Sequence, residues 1–120
     1  MLSARILLVE DDASLNVLIE RYLTRQGHSV DSCVRGEAAW QKFSADTARY
    51  DLVIADLTLP DLPGEVLVGR ILESSPSTPV LICSGAPDPG TYSQTARVSF
   101  LQKPFLPQAL AESVQAALSD

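Results

Sequence analysis

Four short apolar runs in this chain each end in polar groups suited to phosphate chemistry. Arg5-Ile6-Leu7-Leu8-Val9 runs into Glu10-Asp11-Asp12, and Leu52-Val53-Ile54-Ala55 runs into Asp56. Pro79-Val80-Leu81-Ile82-Cys83 runs into Ser84, and Val98-Ser99-Phe100-Leu101 leads to Lys103-Pro104. A carboxylate at the rim of an apolar strand can act as a nucleophile and form an acyl phosphate. Glu10, Asp11 and Asp56 in one cleft would crowd negative charge together. A hard divalent cation with oxygen ligands relieves that crowding, and Mg²⁺ suits carboxylates, waters and phosphate oxygens. Lys103 offers a mobile point charge for a phosphoryl oxygen, and the Ser84 hydroxyl offers a hydrogen bond to another. Phosphoryl transfer asks for little beyond such positioning and charge neutralisation.

Taken singly, each group also has an ordinary explanation. Glu10-Asp11-Asp12 reads equally as a solvated turn with Asp12 or Ser14 capping the next helix. Asp56 reads as a loop carboxylate, Ser84-Gly85 as a turn pair and Lys103 as a surface lysine. The case for a site comes from their recurrence at strand ends.

The elements that must position these groups follow from periodicity. The apolar runs predict strands buried on both faces. Ser29 to Val34 alternates apolar and polar residues, which predicts an edge strand. Between the strands, helical spacing runs from Asp12 or Ser14 to about Gln26, with Leu15, Leu18, Ile19, Tyr22 and Leu23 on one face and Gly27 as its stop. It recurs from Gly36 to about Asp46 through Ala39, Trp40 and Phe43. A third helix spans Glu65 to Ser74, with Val66, Leu67, Ile71 and Leu72 facing inward. The last spans Pro107 to Ser119, with Leu110, Val114, Ala117 and Leu118 inward. Pro60, Pro63 and Gly64 mark a loop. After Ser84 the breakers Ala86-Pro87-Asp88-Pro89-Gly90 leave only Thr91 to Arg97 for a short or irregular fourth helix. Alternating strands and helices predict an α/β fold: a parallel sheet with right-handed crossovers and helices on both faces. In such sheets ligands bind outside the carboxyl ends of the strands, where the polar groups converge.

The 120 residues suit one domain, 1–120, able to bury a core without disulfides. No apolar run approaches the roughly 20 residues that span a bilayer, and no export signal is visible, so a cytoplasmic location is expected. A net charge of −6 and the lack of a basic stripe disfavour direct nucleic-acid binding by this domain. Cys33 and Cys83 sit in apolar runs and read as small buried hydrophobes in a reducing compartment.

Along essentially its whole length the sequence resembles the receiver domain of two-component response regulators. The matching pieces are Ile6 to Asp12, Asp51 to Pro60 with Pro63-Gly64, Pro79 to Gly85, and Leu101-Gln102-Lys103-Pro104-Phe105. The resemblance implies a flavodoxin-like (CheY-like) three-layer α/β/α sandwich with a five-stranded parallel sheet of order 2-1-3-4-5. It implies Asp56 as phosphoacceptor, and Glu10 and Asp11 as an acidic pair holding Mg²⁺ together with Asp56 and the backbone carbonyl of Thr58. Lys103 would meet the phosphoryl group, before a cis Lys103-Pro104 peptide. Ser84 would be the switch hydroxyl and Phe100 its aromatic partner, lacking the hydroxyl that many relatives carry there. The implied donor is a phosphohistidine on a histidine kinase or histidine phosphotransfer protein. The implied output is a changed face of fourth helix, fifth strand and last helix, able to bind another partner or form a homodimer. Such a domain catalyses its own phosphorylation and dephosphorylation and is not an enzyme acting on a metabolite. Thr58 and Ala86 occupy positions expected to set the lifetime of the phosphorylated state. The stretch from Ser84 to Lys103 is a few residues shorter than usual and lacks the small-residue turn before the fifth strand, a departure that bears on the output face. The start at Met1 is expected to mark an N-terminal or stand-alone receiver.

Three rival classes remain in view. A haloacid-dehalogenase-type phosphatase shares a strand ending in a nucleophilic Asp, but Thr58 stands where its second Asp would be, and the chain has no room for a cap domain. A non-phosphorylated pseudo-receiver, acting only as an interaction domain, keeps the same fold. A flavodoxin is disfavoured because acids, not a phosphate-cradling loop, follow the first strand.

Overall fold

Strands form where the apolar runs predict them; the runs at 6–9, Leu52–Asp56 and Val80–Ser84 are buried on both faces, whereas the run at Val98–Gln102 lies at an edge of the sheet and is partly exposed. The computed structural model describes residues 3–87 and 97–119. In chain order the elements are β1 (Arg5–Val9), α1 (Ala13–Arg25), β2 (Ser29–Cys33), α2 (Gly36–Ala45) and β3 (Leu52–Asp56). Then follow α3 (Gly64–Ser74), β4 (Val80–Ser84), β5 (Val98–Gln102) and α4 (Pro107–Leu118). The five strands are parallel in the order β2-β1-β3-β4-β5. This is the flavodoxin-like order. β2 is an edge strand, as its alternation requires. The short helix expected over Thr91 to Arg97 falls almost entirely outside the described residues.

Side chains alternate across the sheet and build two cores. Leu7, Val9, Val53, Ala55, Val80 and Ile82 meet Ala39 and Phe43 of α2 and Leu67, Val68 and Ile71 of α3. Ile6, Leu8, Leu52, Ile54 and Leu81 meet Ile19 and Leu23 of α1 and Leu110 and Val114 of α4. The result is three layers, helices on both faces of one sheet. Cys33 and Cys83 are free thiols buried in these cores.

Local signals set the helix ends. Asp12 caps α1 by accepting the Leu15 N–H at 3.1 Å. Gly27 ends it with φ 98°, while the His28 and Gly27 N–H groups return to the Leu23 and Thr24 carbonyls. A residue with a side chain resists that left-handed conformation.

Two inward faces differ from the periodic expectation. Leu18 is 62% exposed, and Asn16 is buried in its place. The Asn16 amide donates to the carbonyls of Glu10 (3.0 Å) and Cys33 (3.1 Å), so burying this polar group leaves it satisfied. In α3, Val66 is exposed and Val68 is buried. A helix turns about 100° per residue, so the stripe that meets the sheet is only as wide as the contact allows. Residues at its margin are decided by how the helix rolls onto the sheet.

Candidate functional site

β1, β3 and β4 are adjacent parallel strands, so their carboxyl ends share one edge. β2 and β3 flank β1 on opposite sides, which makes the carboxyl end of β1 a topological switch point, the place where open parallel sheets bind ligands. Glu10 and Asp11 follow β1 directly, and Asp56 is the last residue of β3. One oxygen from each of Glu10, Asp11 and Asp56 lies within 4.8 Å of the others. Glu10 and Asp56 are buried, whereas Asp11 is exposed and keeps one side of the cluster open to water.

Lys103 reaches this cluster from the loop after β5. Its Nζ lies 2.6 Å from Glu10 Oε1 and 3.1 Å from Asp56 Oδ2. The Lys103 N–H donates to the Ser84 carbonyl at 2.7 Å, which ties that loop to the end of β4. The Lys103-Pro104 peptide is cis. The other carboxylate oxygens also have partners. Asp56 Oδ1 accepts the Thr58 N–H at 3.1 Å, and Glu10 Oε2 accepts the Asp12 N–H at 3.1 Å.

Burial pushes the Glu10 carboxyl up to about 7, the nearby Asp56 charge adding to it while the Lys103 hydrogen bond and the Asp12 N–H pull the other way. Burial alone would lower Lys103, but its hydrogen bonds and charge contacts with Glu10 and Asp56 outweigh it, so the lysine is held above its ordinary value. The ammonium therefore persists wherever the carboxylates are charged. Burial pushes the neighbouring Cys83 thiol up to about 12, so it stays protonated and inert.

Ser84 ends β4, one residue beyond Cys83, which pairs with Asp56 across the sheet. It is buried, and its Oγ accepts the Ala86 N–H at 3.2 Å. Phe100 is half-buried in the middle of β5, two residues before Gln102, the register partner of Ser84. Its ring packs with the core under α2 and α3. The structure thus brings Glu10, Asp11, Asp56 and Lys103 into one cleft, puts Ser84 at its edge, and leaves Phe100 a strand away. Thr58 is exposed just beyond Asp56.

The donor set fits a hard cation. Carboxylate oxygens with an open, hydrated side suit Mg²⁺, which keeps several waters and takes few protein ligands. No helix among the described residues is long and apolar enough to cross a membrane.

A family profile described as the response regulator receiver domain matches residues 6–115. The chain belongs to this receiver family. Among curated proteins, this receiver is 34% identical over 120 residues to the transcriptional regulatory protein CssR of Bacillus subtilis, covering 98% of the chain and 52% of that protein. It is 32% identical to the regulatory protein VanRB of Enterococcus faecalis, covering 98% and 53%. The chain thus spans about half the length of these curated relatives. Among solved structures, the receiver domain of the hybrid histidine kinase CckA superposes with a TM-score of 0.83 at 30% identity, covering 95% of this chain and 98% of that one. The Vibrio cholerae chemotaxis protein CheY4 superposes with a TM-score of 0.86 at 26% identity, covering 98% and 100%. Receivers in this family accept phosphoryl groups, generally bind Mg²⁺ at an acidic pocket and interact with histidine kinases.

Three residues shape this receiver's site through contacts that the sequence pattern did not show. Asn16 braces the Glu10 backbone from α1. Gly64 contacts the backbone just after Asp56. Asp61, read only as part of a loop, reaches α2. The available signals were the polar residue at an otherwise apolar helix position, Asn16, and the Pro63-Gly64 pair.

Proposed function

We propose that the chain is a phosphorylation-switched receiver in which Asp56 accepts a phosphoryl group from a phosphohistidine of a histidine kinase or phosphotransfer protein. The observation that carries this is the Lys103 ammonium set against both Glu10 and Asp56 at the rim of the sheet. Glu10, Asp11, Asp56 and the Thr58 carbonyl would hold Mg²⁺. The bound ion would supply positive charge against the transferred phosphoryl oxygens.

The chain's own residues account for the rest. An Asp56 carboxylate oxygen forms the bond to phosphorus as the phosphorus–nitrogen bond of the donor breaks. The bonding pair returns to the imidazole. Lys103, already in the cleft, neutralises charge on the phosphoryl oxygens as the transfer proceeds. Ser84 turns its hydroxyl proton toward one of those oxygens, and Phe100 follows into the space beside β4. That movement changes the face around β5 and α4 and so selects the next partner or a second copy of the chain. The domain acts only on its own phosphorylation state, in the cytoplasm, and contacts no nucleic acid itself.

Labelling with a small phosphodonor in Mg²⁺ tests this. The wild type should acquire an acid-stable, base-labile acyl phosphate, and Asp56→Asn should acquire none. Undiminished labelling of Asp56→Asn overturns the assignment.

A further inference from the structure

The loop between β3 and α3 carries the backbone that follows Asp56, and one of its side chains is spent on a different element. α2 begins after Arg35, which makes no side-chain cap, so its first N–H groups have no partner from their own segment. Asp61 supplies it from 25 residues away. Its Oδ1 accepts the Gly36 N–H at 2.9 Å and its Oδ2 accepts the Glu37 N–H at 3.1 Å. The Glu37 N–H, with that of Gly36, holds the Asp61 carboxyl below the usual carboxylate range.

Apolar contact reinforces this attachment. A β-carbon at Gly36 would stand 2.9 Å from Leu62 Cβ and 3.3 Å from Leu59 Cδ1, so the loop packs directly on the start of α2. At its far end the loop is closed by the Gly64 N–H, which donates to the Leu57 carbonyl at 3.0 Å. The segment from Leu57 to Pro63 is therefore pinned at three places. Thr58 lies inside it, its N–H on Asp56 Oδ1.

We propose that Asp61 is a positioning residue: by capping α2 it holds the β3–α3 loop, and with it Thr58, in place for the carbonyl-ligand role proposed above. The inference rests on the metal-binding role proposed above. A cation site gains affinity when its ligands need not be ordered on binding, and supports behind the ligands contribute accordingly. Asp61 touches neither cation nor phosphoryl group. It acts through Thr58.

Mg²⁺ binding by calorimetry, phosphoryl acceptance at saturating Mg²⁺, and urea unfolding separate this from simple helix capping. Asp61→Ala is expected to bind Mg²⁺ about tenfold more weakly, the low end for losing a support behind a metal ligand. At saturating Mg²⁺ its rate of phosphoryl acceptance should stay close to wild type. Asp61→Asn, whose amide oxygen still accepts an α2 N–H, should restore most of the affinity. An Asp61→Ala variant with a lowered urea midpoint but the wild-type Mg²⁺ constant overturns the inference while leaving the functional proposal standing. A wild type that binds no Mg²⁺ removes both.

Discussion

Gly64 stands so close to Leu57 that a β-carbon on it would lie 2.3 Å from the Leu57 Cα and 2.6 Å from the Asp56 carbonyl oxygen. The obstacle is backbone on both sides, and backbone at the end of a central strand has nowhere to move. The first turn of α3 thereby abuts the chain immediately after Asp56.

Gly64→Ala should therefore lose about 1–3 kcal/mol of stability, the usual cost of forcing volume into a packed site. Urea unfolding measures it. The displaced backbone is that of Asp56 and Leu57, so phosphoryl acceptance should fall in the same variant. Wild-type stability would show that the loop yields more easily than its contacts imply.

Lys103→Ala removes the one cation among the described residues that contacts Glu10 and Asp56. Loss of a positioned charge that stabilises developing negative charge slows a reaction by about 10²–10³-fold. Acceptance from a small phosphodonor should slow by about that factor, with Mg²⁺ binding retained because the acids remain. Calorimetry beside a labelling time course checks both halves. An unchanged labelling rate would remove Lys103 from the transfer step.

His28 is buried, and its Nδ1 accepts the Ala4 N–H at 3.1 Å, which leaves the ring proton of the neutral form on Nε2. Burial disfavours the imidazolium and lowers the folded-state value below 6.5. Below 6.5 the unfolded chain thus binds a proton that the folded chain resists. Stability contributed by the neutral ring is complete above 6.5, falls as the pH drops below it, and levels off once the pH passes the folded value. The slope from this one group is at most about 1.4 kcal/mol per pH unit. His28→Gln keeps an acceptor for Ala4 and has nothing to titrate, so its unfolding free energy should fall less steeply over the same range. Identical slopes in the two proteins would refute the assignment.

Much of the fold was legible because it depends on short-range patterns. Continuous apolar runs such as Leu52 to Ala55 require burial on both faces, which a parallel sheet with helices on each side supplies. Gly27 marked a helix end because few other residues accept its backbone conformation. The candidate site was legible for a related reason: Glu10, Asp11, Asp56 and Lys103 lie at the ends of strands or just beyond them, and parallel strands deliver their ends to one edge.

What the sequence determined alone, then, was the order of strands and helices and which polar residues stand at the sheet's carboxyl rim, since both follow from local periodicity. Tertiary packing decided the rest. Whether Leu18 or Asn16 faced inward depended on how α1 rolled against β1 and β2. That Asp61 would find the start of α2, and Gly64 the backbone of Leu57, depended on α2 and α3 packing side by side. Those contacts join residues whose spacing carries no periodic signal, and only the assembled three-dimensional shape brings them within hydrogen-bonding distance.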